Sequence, residues 1–149
     1  MSVTVSEILS WPRQRLDDLF RQSPPGPVPT GVTRGTAIIF AGSPLVRPLA
    51  AVARALFWKG KVFTPDGKEL RNRLGPFGML AIRARIFEEG SWFAPGPAII
   101  LDYSKTSFVA QKIRDKIRQV SPGVYLGQVF WGEKRIALFM LEFPRGTAT

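Results

Sequence analysis

The stretch VYLGQVFWGEKRIALFMLEF, residues 124–143, most limits what this chain can fold into. Gly132, Glu133 and Lys134 separate two runs rich in β-branched and aromatic residues, which is the pattern of a hairpin. With pairing centred on Glu133, one face carries Val124, Leu126, Gln128, Phe130, Ile136, Leu138, Met140 and Glu142. The other carries Tyr125, Gly127, Val129, Trp131, Ala137, Phe139, Leu141 and Phe143. Both faces are largely apolar, so both need cover; a sheet with one side in water would alternate apolar with polar. A helix outside and a core or cavity inside would provide it.

Other segments add strands. The pattern predicts one over VTRGTAIIFAG (32–42), a hairpin turning at Pro65-Asp66-Gly67, an alternating strand over MLAIRARIF (79–87) and another over PAIILDY (97–103). Helices are predicted around Leu16, Leu19 and Phe20, within SPLVRPLAAVARALFWKG (43–60), and over 107–120, where Val109, Ile113, Ile117 and Val120 share a stripe. On that last helix Lys112, Arg114, Lys116 and Arg118 read as the solvated side. The proline-rich SPPGPVPTG reads as an extended strap.

Several antiparallel strands with two to three packing helices predict an α+β fold, a curved antiparallel sheet or β-barrel. The 149 residues suit one domain: helix and strap over 1–30, a barrel-like body over 31–143 and a tail over 144–149. A barrel of this size is filled by side chains or encloses one small ligand.

The passage FWKGKVF, residues 57–63, with its following antiparallel strands, later helix and closing hairpin, resembles small bacterial lipocalin-like (calycin) β-barrel domains. In lipocalins a G-x-W motif marks the start of the first strand and its Trp closes the barrel; here Trp58 has Leu56 two positions before it. The resemblance covers mainly residues 56–143 and implies binding of a small apolar ligand.

Composition narrows the chemistry. The chain has no Cys and no His, which removes thiol nucleophiles, disulfides, imidazole bases and most transition-metal sites. No cofactor is expected. A net charge of +10 attracts anions of any kind, from an acidic small molecule to phosphate or anionic lipid. No recognisable nucleic-acid reading module accompanies it. The amphipathic run SPLVRPLAAVARALFWKGK, residues 43–61, suits an anionic membrane surface as well as a protein core. The N-terminus carries no signal-peptide pattern and no run is long enough to span a bilayer, so a cytoplasmic protein, in peripheral membrane contact if that run docks, is expected.

Candidate site residues follow from a barrel cavity. Asp102, Tyr103 and Tyr125 are the candidate acids and bases of a cofactor-independent isomerase, cyclase or lyase. Trp58, Phe63 and Phe130 are candidates for a ligand's apolar wall, and Asn72 and Gln128 for its polar contacts. Arg83 and Arg85, beside Arg71 and Arg73, could grip an acidic group. Binding of a hydrophobic or lipid-like molecule is the first expectation, catalysis the second, and a membrane or interaction module the third.

Overall fold

The computed structural model describes residues 4–38, 58–74, 79–90, 96–104 and 111–143. Two short helices come first, α1 (Val5–Leu9) and α2 (Arg13–Gln22). Pro12 separates them: it lacks an N–H and holds extended backbone at the N-cap of α2. Then come β1 (Gly31–Val32), β2 (Arg34–Ile38), β3 (Trp58–Phe63), β4 (Glu69–Leu74), β5 (Met79–Gly90) and β6 (Pro97–Asp102). The chain continues through β7 (Ile113–Ser121), β8 (Val124–Trp131) and β9 (Lys134–Glu142). The helix expected within 43–60 lies outside the described residues up to 57, and its last three residues, Trp58, Lys59 and Gly60, are corrected to the start of β3.

All pairings are antiparallel, in the order β1-β3-β4-β5-β6-β7-β8-β9-β2. The two outermost members, β1 and β2, are consecutive in the chain and separated only by Thr33. One strand therefore bridges both sheet edges, pairing with β3 through its first half and with β9 through its second. Counting β1 and β2 as one, eight strand positions form a nearly closed barrel.

Thr33 is the corner of that closure. Its N–H and hydroxyl both donate to the Lys61 carbonyl (2.9 and 2.7 Å), and its Oγ1 accepts the Lys61 N–H at 3.0 Å. The barrel edges that would otherwise expose unpaired backbone are thereby joined. Gly60 makes room for the crossing, with φ +134° and an added Cβ falling 2.5 Å from the Thr33 carbonyl oxygen.

The last hairpin meets the two-sided demand of its sequence. Inward residues Tyr125, Phe139 and Leu141 join Phe63, Leu70, Ala84, Ile86, Ile99, Leu101 and Ile117 inside the barrel. Outward residues Val124, Leu126, Leu138 and Met140 pack with Ala98 and Ile100 against Ile8, Leu16 and Phe20 of the helices. Arg118 fastens this outer layer: its guanidinium donates to the carbonyls of Phe20 (2.9 Å), Gly96 (3.2 Å) and Pro97 (3.2 Å). A two-toothed Arg135–Asp17 ion pair fastens it a second time. The strap then passes one end of the barrel, where the Tyr125 hydroxyl donates to the Pro27 carbonyl at 2.6 Å.

The helix expected over 107–120 is corrected from residue 113 onward, where the chain is strand β7. Ile113, Asp115 and Ile117 face the interior, while Lys116 and Arg118 lie on the outer side, Lys116 over the Phe130 ring and Arg118 against Phe20 of the helix layer, both buried rather than solvated. With charges beneath a covering helix, the strand's outer side imitated the polar side of a helix, and Ile113 and Ile117 fit either period.

Gly60→Ala is expected to lower stability by about 1–3 kcal/mol, because neither the backbone angle nor the Thr33 carbonyl can yield without opening the closure. Equilibrium denaturation measures it, and an unchanged midpoint would mean the corner is not a constraint.

Candidate functional site in the barrel interior

Five polar-tipped side chains from four strands or strand ends meet inside the apolar barrel. Lys61 comes from β3, Asn72 from β4, Asp115 from β7, Tyr103 from just past β6, and Trp58 from the start of β3. Lys61, Asn72, Tyr103 and Asp115 are all buried. They lie toward the barrel end where β3, β5 and β7 begin, opposite the end crossed by the strap.

The Lys61 ammonium is fully surrounded. It donates to Asn72 Oδ1 at 2.8 Å and Tyr103 Oη at 2.6 Å, and it pairs with Asp115 Oδ2 at 3.1 Å. The rings of Trp58, Tyr103 and Phe139 stand 5.2–5.4 Å from it, adding cation–π attraction. Trp58 Nε1 donates to Asn72 Oδ1 at 3.0 Å, and Asn72 Nδ2 donates to Tyr103 Oη at 3.0 Å. Tyr103 in turn donates to Asp115 Oδ2 at 3.4 Å. Asp115 Oδ1 is buried and has no hydrogen-bond partner among the described residues.

Local backbone irregularity serves this cluster. The β4–β5 register shifts between Arg71 and Asn72, and in β5 Ile82 has φ +51°. That angle is costly for a β-branched side chain, by about 1–3 kcal/mol. Through this kink the Ile82 carbonyl accepts the second Asn72 Nδ2 hydrogen at 2.9 Å, which fixes the amide orientation. A second register shift, between Trp58 and Gly60, accompanies the glycine at the closure.

Burial governs the ionisation of the group. Burial alone would lower the Lys61 pKa, but Tyr103 and Asp115 together outweigh it and hold it above the ordinary 10.5. Burial pushes the Tyr103 hydroxyl above 10.0, with Lys61 opposing. Burial also raises the Asp115 carboxyl, against the pull of Lys61. Lys61 stays charged and Tyr103 stays a neutral donor.

The sequence-predicted residues divide by strand face. Trp58, Asn72 and Tyr103 come together in the cluster, and Phe63 lies on the same interior surface. Tyr125 is interior but at the strap end, its hydroxyl held by Pro27 and pushed up to about 12 by burial. Asp102 points outward, accepting the Ser104 N–H at 3.0 Å and lying 3.7 Å from Arg114. It lines a surface cleft of about 310 Å³ with Ser104, Lys112, Ile113 and Arg114. Asp102, Tyr103 and Tyr125 are thus not brought together.

Arg83 and Arg85 also point outward, from β5; Arg83 and Arg71 face each other across the β4–β5 ladder, and Arg83 lies 3.6 Å from Glu69. Gln128 and Phe130 belong to the outer face of β8; Gln128 is fully buried there with neither amide atom hydrogen-bonded among the described residues. Lys61 and Asp115 were missed by sequence reasoning. A charged residue two positions from Phe63 on one strand face, and another between Ile113 and Ile117, were the signals available.

Comparison with solved structures finds a crystal structure of a protein from Thermomonospora curvata, at 24% identity and a TM-score of 0.62 over 91% of this chain and 89% of that one. The likeness is one of fold. It supports the nearly closed antiparallel barrel. No family model matches the chain, and no curated protein matches it. Among the described residues, no helix is long and apolar enough to cross a membrane.

Raised values at Lys61 and Tyr103 mean that the folded chain holds these protons more tightly than the unfolded chain. Their contribution to stability is therefore complete below the unfolded values of 10.0 and 10.5 and is lost as pH rises through the folded ones. Melting temperature is expected to fall on raising the pH above about 10, and less steeply in Tyr103→Phe. Identical slopes would show that Tyr103 is not held neutral by the fold.

Proposed function

We propose that the protein binds a hydrophobic small molecule inside the barrel, with the Lys61–Asn72–Tyr103–Asp115 cluster as its polar anchor. The observation that carries this reading is a charged pair and its hydrogen-bonding partners buried in an otherwise apolar interior. Removing two charges from water costs several kcal/mol per ion, and well-packed apolar residues of similar volume are commonly as stable or more so. Binding sites, by contrast, use a few placed polar groups within apolar walls.

The half-buried Trp58, Ile82, Ile113 and Val129 support an approach from the end opposite the strap. They offer apolar surface beside the cluster. The outward direction of Arg83 and Arg85 removes them from an interior ligand, so any acidic headgroup would need another partner.

A catalytic reading on the same scaffold has one observation in its favour. Tyr103 Oη and Asp115 Oδ2 lie 3.4 Å apart, a neutral acid beside a carboxylate. That pair, rather than Asp102 with Tyr125, would perform proton transfer on an apolar substrate.

Titration of the full chain with a long-chain apolar probe is expected to shift tryptophan fluorescence, and Trp58→Phe is expected to remove most of the shift. A full-sized shift in Trp58→Phe, or none in the wild type, would count against interior binding.

A further inference from the structure

Every donor in the cluster is already engaged. The three ammonium hydrogens of Lys61 face Asn72 Oδ1, Tyr103 Oη and Asp115 Oδ2. The two amide hydrogens of Asn72 go to Ile82 O and Tyr103 Oη, the indole N–H of Trp58 to Asn72 Oδ1, and the Tyr103 hydroxyl to Asp115 Oδ2. The acceptors are nearly as full: Asn72 Oδ1 takes two hydrogens, as does Asp115 Oδ2. Asp115 Oδ1 alone is left, a buried acceptor on an inward-facing residue.

We propose that the polar group of the bound molecule is a hydroxyl, which donates its hydrogen to Asp115 Oδ1. The inference rests on interior binding and specifies its ligand class as an apolar alcohol.

Charge and hydrogen bonding exclude carboxylate, ammonium, ether and ester headgroups. A carboxylate would meet no unoccupied donor and would lie against a carboxylate oxygen. Lys61 cannot serve it without abandoning Asp115, whose charge already balances its own. An ammonium group would place a second cation beside Lys61 with one carboxylate between them, leaving a buried charge uncompensated. An ether or ester offers only acceptors and would leave Asp115 Oδ1 without a hydrogen. A hydroxyl satisfies that oxygen and adds no charge.

The test is equilibrium titration of the full chain with three probes of equal chain length: decan-1-ol, its methyl ether and decanoate. The alcohol is expected to bind about tenfold or more tightly than the ether, the factor a hydrogen bond to a charged group supplies, and more tightly than decanoate. In Asp115→Asn, an amide that turns its N–H to the place of Oδ1 reverses that polarity, and the alcohol's advantage over the ether is expected to shrink toward parity. Equal binding of all three by the wild-type protein, or tightest binding of decanoate, overturns the hydroxyl assignment and leaves interior binding intact. Failure of all three to bind overturns interior binding itself, and the assignment with it.

Discussion

Closure of the barrel through residues 31–38 is the constraint on which the other features depend. One strand must serve two neighbours, β3 at Gly31–Val32 and β9 at Arg34–Ile38. The change of partner takes place at Thr33, whose backbone and hydroxyl grip the Lys61 peptide from both sides. Gly60, next to it, is the residue without a Cβ that lets the two strands touch. Fixing the Lys61 backbone in this way also fixes where its side chain enters the interior. The corner that closes the barrel is therefore the corner that positions the ammonium group.

From that point the interior splits into two regions of different chemistry. Toward the strap, Tyr125 and Phe143 stack edge to face and the Tyr125 hydroxyl ties down Pro27, so the polar tip is consumed in closing that end. Toward the other end, Trp58 meets Phe139 edge to face, 5.5 Å between centroids, and hands its indole hydrogen to Asn72. The kink at Ile82 turns a backbone carbonyl toward the same amide. Strain, a buried charge pair and an unfilled acceptor oxygen thus collect at one end of an apolar enclosure. On the outer surface α1 and α2 cover a second apolar layer, held by Arg118 and Arg135, which accounts for the helices without assigning them a place in the interior.

Much of the architecture was legible in the sequence because strands announce their faces by alternation. The last hairpin demanded cover on both sides, and Tyr125 and Phe139 inside with Leu126 and Leu138 outside show why. The segment 113–120 was misread as helix because Lys116 and Arg118, buried on the strand's outer side, look in sequence like a helix's solvated side, while Ile113 and Ile117 fit either period. That error hid Asp115, which in a helix would have belonged to a solvated surface. Lys61 was hidden differently: local sequence cannot show that a lysine's neutralising partner arrives from a strand more than fifty positions away. Asn72, Tyr103 and Trp58 were singled out individually, but only the ring of strands brings them to one ammonium group.

The central claim is that the buried cluster serves a ligand rather than the stability of the barrel, and replacement of its charged pair by apolar residues addresses both halves at once. Removing one partner alone strands a buried charge and costs about 3–5 kcal/mol, so single variants cannot distinguish the roles. In Lys61→Met/Asp115→Leu, denaturant unfolding is expected to show stability equal to or above the wild type, while binding of decan-1-ol falls to the level of its methyl ether. A double variant as unstable as the single ones, yet still preferring the alcohol, would contradict the account.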